Sequence, residues 1–198
     1  MRNRVVSLVI ILGLSMSLHA GEIGFGVKGG LNISDLYGED VSSVAYRLGF
    51  CGGGFVALDF GQVFAFQPEV LYSMKGGEVA NVGGVDVTMV LHYIEVPLIA
   101  KLVLPLEGGV LPNVFVGPTF GIALSGLTRA EGFWGVQETS IDDLNPVDVG
   151  MAFGVGFDVD IGSGALVLDV RYTLGLGSAI VDQDTRNRVI SIMLGYSF

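Results

Sequence analysis

Nine ionisable residues stand at alternate positions of otherwise apolar or glycine-rich segments: Lys28, Glu69, Lys75, Glu95, Lys101, Asp148, Asp158, Asp169 and Arg171. Four are cations and five are anions. Gathered on one face, such a set can relay protons or ions, or it can neutralise itself as a structural network. The near balance of charge favours the network, because an unpartnered ion in a low-dielectric interior is expensive. Glu69 and Glu95 are expected to partner Arg171 and Lys101. Other candidate chemistry is thin. His92 is the only histidine after residue 20, and no serine stands in a nucleophile's setting for a Ser-His-Asp site. Asp158 to Gly164 begins like a calcium loop, but it lacks the later Glu and falls where a tight turn is required. Gly24, Gly26 and Gly29 match a dinucleotide fingerprint in spacing, yet they lie inside a strand pattern that opens no helix. Cys51 is the single cysteine, which rules out an internal disulfide and suits a small filler.

The elements that must position these residues alternate with period two, the mark of strands with unlike faces. One parity of 23–33 reads Ile23, Phe25, Val27, Gly29, Leu31, Ile33, and the other carries Gly24, Gly26, Lys28, Gly30, Asn32. The same sorting recurs in 47–59, 64–75, 92–102, 113–125, 148–160, 165–176 and 187–198. That makes eight strands, all-β and antiparallel, with no helical segment after the leader.

A soluble sandwich or ligand-binding barrel would turn the bulky parity inward and the polar one to water. A membrane barrel turns the bulky parity to lipid. The second parity here is largely Gly, Ala, Ser and Thr plus the buried-type ions, a poor solvent surface but a fit for the narrow inside of an eight-stranded barrel. Connection lengths agree. Short links at 60–63, 105–112 and 161–164 alternate with longer ones at 34–46, 76–86, 126–147 and 177–186, as in barrels with short periplasmic turns and long outer loops. Tyr196 and Phe198 then fall near the lower interface, and Tyr37, Tyr72 and Trp134 near or above the upper one.

Composition sets the same bounds. Hydrophobic residues make up 51% and charged residues 15%, the latter well below the roughly 25% of soluble domains. Gly is 31 of 198 residues without a G-X-Y period, which excludes collagen. The net charge of −10 excludes an ordinary nucleic-acid binder. Residues 1–20 read as a secretory signal peptide, with Arg2 and Arg4 before an apolar stretch and Ala20 at the cleavage position. Without them the chain, 21–198, has 8 basic and 20 acidic residues, a net −12. Most of that surplus falls in loops and strand ends. The longest loop, 126–147, carries Phe133 and Trp134 and is a candidate contact for a partner or for lipopolysaccharide.

Several short motifs resemble the PorT-like outer-membrane β-barrel domain: Gly26-Val27-Lys28-Gly29-Gly30-Leu31-Asn32, Pro68 to Gly76, Tyr93-Ile94-Glu95-Val96-Pro97-Leu98, Val116-Gly117-Pro118, Arg171 to Leu176, and Leu194 to Phe198. The resemblance spans nearly all of 21–198. It implies an up-and-down, eight-stranded, OmpX-type outer-membrane barrel. It also implies that the terminal Phe198 is read by the barrel-assembly machinery during insertion. The expected function is structural, adhesive or part of an envelope complex, in outer-membrane lipid, with no cofactor and no catalysis. The fold is porin-like, but eight strands leave no room for an aqueous channel. Two alternatives stay open on sequence: an outer-membrane lipid-modifying enzyme, which would need His92, and a soluble periplasmic ligand-binding barrel.

Overall fold

Strands with one apolar parity cannot bury it alone, and their unpaired edges are intolerable in lipid, where every backbone N–H and C=O must find a partner within the protein. Closing the sheet solves both problems. The computed structural model describes residues 22–39, 44–82, 85–106, 109–132, 135–141 and 143–198. The expected leader and the residues Phe133 and Trp134 lie outside these. The strands are β1 (Glu22–Tyr37), β2 (Val44–Ala45), β3 (Arg47–Phe60), β4 (Phe64–Val82), β5 (Val85–Val103), β6 (Val110–Gly132), β7 (Gly135–Ser140), β8 (Val147–Asp160), β9 (Ala165–Gly175) and β10 (Arg186–Ser197).

Eight of them form a closed antiparallel ring in the order β4-β3-β1-β10-β9-β8-β6-β5, with β5 pairing back to β4. The first and last strands seal it, from Gly26 opposite Ser197 to Tyr37 opposite Arg186. β2 continues β3 along the edge of β4, and β7 continues β8 along the edge of β6. Every ring neighbour but the β1–β10 closure is also a chain neighbour, the up-and-down topology.

The two parities separate inside out. Leu31 and Leu194 are 59% and 68% exposed, while Lys28 and Arg171 are only 4% and 3% exposed. A large continuous apolar exterior wrapped around buried ions is the arrangement for lipid, and it removes the soluble-barrel alternative.

Three features differ from the sequence reading. First, the inner face is less uniformly small than expected: Phe55, Leu71, Ile99, Phe115 and Met193 are buried there among the ions. Glycine makes their room. A Cβ at Gly26 would lie 2.2 Å from Cζ of Phe55, and one at Gly154 would lie 2.4 Å from Cζ of Phe115. Second, 76–86 and much of 126–147 are paired strand rather than loop. The β4–β5 hairpin runs up to Val82 opposite Val85, and β6–β7 runs up to Gly132 opposite Gly135. Above the membrane both faces of a strand are wet, so backbone pairing persists while apolar alternation fades. Third, prolines on successive strands lack the ladder N–H. The pairing lapses beside Pro68 on the β3 side, Pro97 on the β4 side and Pro118 on the β5 side.

The opposite end has the tight connections. Gly61 and Gly162 take φ of 75° and 83° in their turns, a left-handed conformation that favours glycine. The Gly162 N–H donates to the Asp160 carboxylate at 2.7 Å and Ile161 N–H to the Gly164 carbonyl at 2.9 Å. The calcium-like pattern is therefore a hairpin turn whose Asp158 points away into the lumen. Gly24, Gly26 and Gly29 all lie within β1.

Candidate functional site

Inward-pointing positions bring the predicted ions together in three tiers. In the middle tier, Lys28 Nζ from β1 donates to Glu69 Oε1 at 2.8 Å and to Asp169 Oδ2 at 2.7 Å. Arg171 Nη2 from β9 donates to the same Glu69 oxygen at 2.8 Å, and Gln67 Nε2 adds a bond at 2.7 Å. Two cations thus face two carboxylates, all four buried. The expected pairing of Glu69 with Arg171 is present.

The other expected pairing is corrected. Glu95 pairs with Lys75 in the outer tier, and Lys101 pairs with Asp158 in the lower one at 3.1 Å. Glu95 and Lys101 both point inward from β5, six positions apart, and a strand rising about 3.3 Å per residue separates them by roughly 20 Å. Glu95 finds its ion on the neighbouring strand β4 instead, and Lys101 finds its own on β8, two strands away. Asp148 joins the outer tier at 3.8 Å from Lys75 and accepts from Asn187 Nδ2 at 3.1 Å. Gln67 Oε1 accepts from Lys101 at 3.3 Å, and Asn113 donates to Asp158 at 3.3 Å.

Aromatic rings complete three of the cation sites. Lys28 Nζ stands 5.1 Å from the centre of the Phe55 ring, Lys75 Nζ 5.0 Å from that of Tyr93, and the Arg171 guanidinium 5.4 Å from that of Phe115. A desolvated cation over a ring face gains about 2 kcal/mol. Sequence reading singled out the ions and missed these rings. The signal that could have found them is a Phe at an inward parity opposite an inward Gly.

Above the outer tier the barrel mouth is covered. Inward-facing Leu36, Leu91 and Tyr93 pack with Ala179, and Met89, Ala123, Ile141 and Leu144 close around them. Two connecting segments carry this cap. Leu144 bridges Ile180, Asn145 N–H donates to the Ala179 carbonyl at 3.0 Å, and Val181 N–H donates to the Asp143 carbonyl at 2.9 Å. Below the lower tier the lumen opens at the short-turn end as a cavity of about 490 Å³.

Cys51 is buried in the lumen with Leu71 and Met193. His92 lies on the outer face, its Nδ1 2.5 Å from the Tyr72 hydroxyl, in a row with Phe50. Farther along the outer face, Phe153 and Tyr172 stack with ring centres 5.4 Å apart. Among the described residues no cluster of His, Cys, Asp and Glu has the geometry of a metal site.

A closed eight-stranded ring, apolar outside and ionic within, is the frame on which the comparisons bear. The profile of the outer membrane protein beta-barrel domain matches residues 15–181. The chain belongs to that family. Its members lie in the outer membrane of Gram-negative bacteria, and so does this barrel. The fold resembles outer membrane protein OprG of Pseudomonas aeruginosa, with TM-score 0.52, 14% identity, and coverage of 88% of this chain and 95% of that one. It also resembles Neisserial surface protein A, with TM-score 0.50, 12% identity, and coverage of 88% and 97%. At such identity the likeness extends to the fold alone. A search of curated proteins finds no match. With the long hairpins outward and the short turns inward, the cap faces the cell exterior and the open cavity faces the periplasm.

Proposed function

We propose that this outer-membrane barrel is a structural or interaction component of the envelope whose lumen is closed to passive diffusion. The observation that carries this reading is the succession along the barrel axis of an apolar cap and three tiers of mutually paired ions. A conducting path would need hydrated ions to displace pairs whose members are buried and hydrogen-bonded, at a cost of several kcal/mol for each separated pair. Reconstitution in planar bilayers tests it: the expectation is a flat current trace, and stepwise conductance of porin size would overturn the reading.

The chain acts without catalysis of its own in this account. His92, the one histidine an enzyme reading could use, faces outward beside Tyr72 and Phe50. Kinship with PorT-like barrels rests on the motifs around Lys28, Pro68 and Arg171, and with it goes insertion by the barrel-assembly machinery. The ionic residues of the lumen serve as scaffold. Outward contacts fall to the β6–β7 hairpin, between whose strands Phe133 and Trp134 stand in sequence. An envelope protein is the partner class we assign to it.

A further inference from the structure

Cations toward the outer end of the barrel face carboxylates, with one exception. Arg188 makes a two-armed pair with Asp35, Nε to Oδ1 at 2.8 Å and Nη2 to Oδ2. Arg186 lies 2.9 Å from Asp184, and Arg129 stands opposite Glu138 on β7. Arg47, the first residue of β3, is half-buried and has no carboxylate within ion-pair distance among the described residues. Glu78 acts on it only at longer range. The bonds Arg47 does make go to the Lys75 carbonyl at 3.4 Å and to the Met74 sulfur at 3.2 Å. The first is long and the second has a weak acceptor, so the remaining donors of the guanidinium are left for groups outside the protein.

Its neighbours on the outer face are polar in the same way. Met74 is opposite His92 on β5, and His92 is opposite Ser125 on β6. The Tyr72 hydroxyl, 2.5 Å from His92 Nδ1, completes a row of hydrogen-bonding groups across β3, β4, β5 and β6. On the membrane side of this row the exterior turns apolar at once, with Leu48, Phe50, Ile122 and Leu124 each more than half exposed. The row therefore marks the upper limit of the lipid-facing band, at the height where tyrosines sit with their rings in hydrocarbon and their hydroxyls wet. A guanidinium there lacks an anion, and its planar fork matches two oxygens of a phosphate. The lipid that covers Leu48 and Phe50 holds its headgroup at this level. A phosphate carried on that lipid meets the cation and the apolar patch together, and continuity with the lipid-facing exterior favours it over a soluble anion.

We propose that Arg47, with Tyr72, His92 and Ser125 beside it, forms a headgroup site for a phosphate-bearing lipid of the outer leaflet, whose acyl chains lie against Leu48 and Phe50. This goes beyond the closed-lumen reading and depends only on the barrel's seat and orientation in the membrane.

The test uses the full chain folded in detergent micelles, with folding of each variant verified by heat-dependent gel mobility. Native mass spectrometry follows the lipid retained as bisphosphorylated lipid A is titrated in, set beside the same lipid stripped of its phosphates and beside inorganic phosphate. The wild type should retain the phosphorylated lipid and hold the stripped one at least about tenfold more weakly, the loss expected when charge-assisted hydrogen bonds disappear. Arg47→Gln should abolish that preference, and Arg47→Lys should recover only part of it, since a point charge replaces the fork. Tyr72→Phe with His92→Leu should weaken retention by a smaller factor. Arg186→Gln, which removes an arginine already paired with Asp184, should bind as the wild type does. Equal retention of the two lipids, no effect of Arg47→Gln, or an equal effect of Arg186→Gln would overturn the proposal. Displacement of the lipid by inorganic phosphate at the same concentration would also overturn it, by making the free anion the ligand. Conductance plays no part in this assay, so an open pore would refute the closed lumen and leave the headgroup site standing.

Discussion

Replacing Glu69 with leucine removes the hub of the middle tier. Oε1 of Glu69 accepts from Lys28, Arg171 and Gln67, so Glu69→Leu leaves Lys28 with Asp169 alone. Arg171 is left with no ion-pair partner among the described residues. The Arg171 and Glu69 side chains are 4% and 0% exposed, so solvent does little to screen the stranded guanidinium. Breaking one side of a buried pair costs about 3–5 kcal/mol. An exposed pair sets the baseline: Asp184 and Arg186 lie 2.9 Å apart at 33% and 40% exposure, and Asp184→Ala should cost at most about 1 kcal/mol. The middle tier holds two cations and two anions, so Glu69→Leu combined with Arg171→Met restores its balance. That double variant should be more stable than Glu69→Leu alone, since apolar replacement of a whole buried pair is close to neutral. Urea titration in micelles, followed by the fluorescence of the single Trp134 and by gel mobility, compares the wild type with the two single variants, their double and Asp184→Ala. If Glu69→Leu loses no more than Asp184→Ala, or the double variant loses more than the sum of its singles, the lumen is wetter than the tiers imply and the reasoning fails.

Further outcomes follow from the packing. Gly154→Ala sets a Cβ against the Phe115 ring and 2.3 Å from the Val170 carbonyl oxygen, and overpacking of this kind costs about 1–3 kcal/mol. Gly54→Ala meets nothing closer than 3.5 Å and should leave the urea midpoint nearly unchanged. Phe115→Leu removes the ring from Arg171 and should destabilise by about 1–2 kcal/mol beyond a packing-matched control, the worth of a desolvated cation–π contact. Leu144→Asp places a charge in the outer cap among Leu91 and Tyr93, and proteolysis of the outer segments should become faster while the barrel stays folded.

Much of the barrel was legible because lipid and lumen impose opposite demands on alternate residues. Lys28 beside Val27 and Arg171 beside Val170 could be assigned to faces by parity alone. What parity does not contain is stagger. Glu95 was expected to meet Lys101, but their separation along β5 forbids it, and only the slant of neighbouring strands brings Lys75 to Glu95 and Asp158 to Lys101. The large inner residues were obscured for a related reason. Phe55 and Phe115 are too bulky for a face read as small until their cross-strand neighbours, Gly26 and Gly154, are known. The cap was invisible because Leu144 and Ala179 lie in segments with no period, and their burial depends on contacts far along the chain.

Cys51 offers the most direct measurement of the central claim, that the inward parity faces a sealed lumen. Its side chain is 5% exposed, between Leu71 and Met193, and as the only cysteine it needs no engineering. A water-soluble maleimide added to the protein in liposomes permeabilised to reach both sides should leave Cys51 unmodified while the barrel is folded. After denaturation it should be modified completely. Labelling of the folded barrel at a rate approaching that of the unfolded chain would contradict a closed lumen.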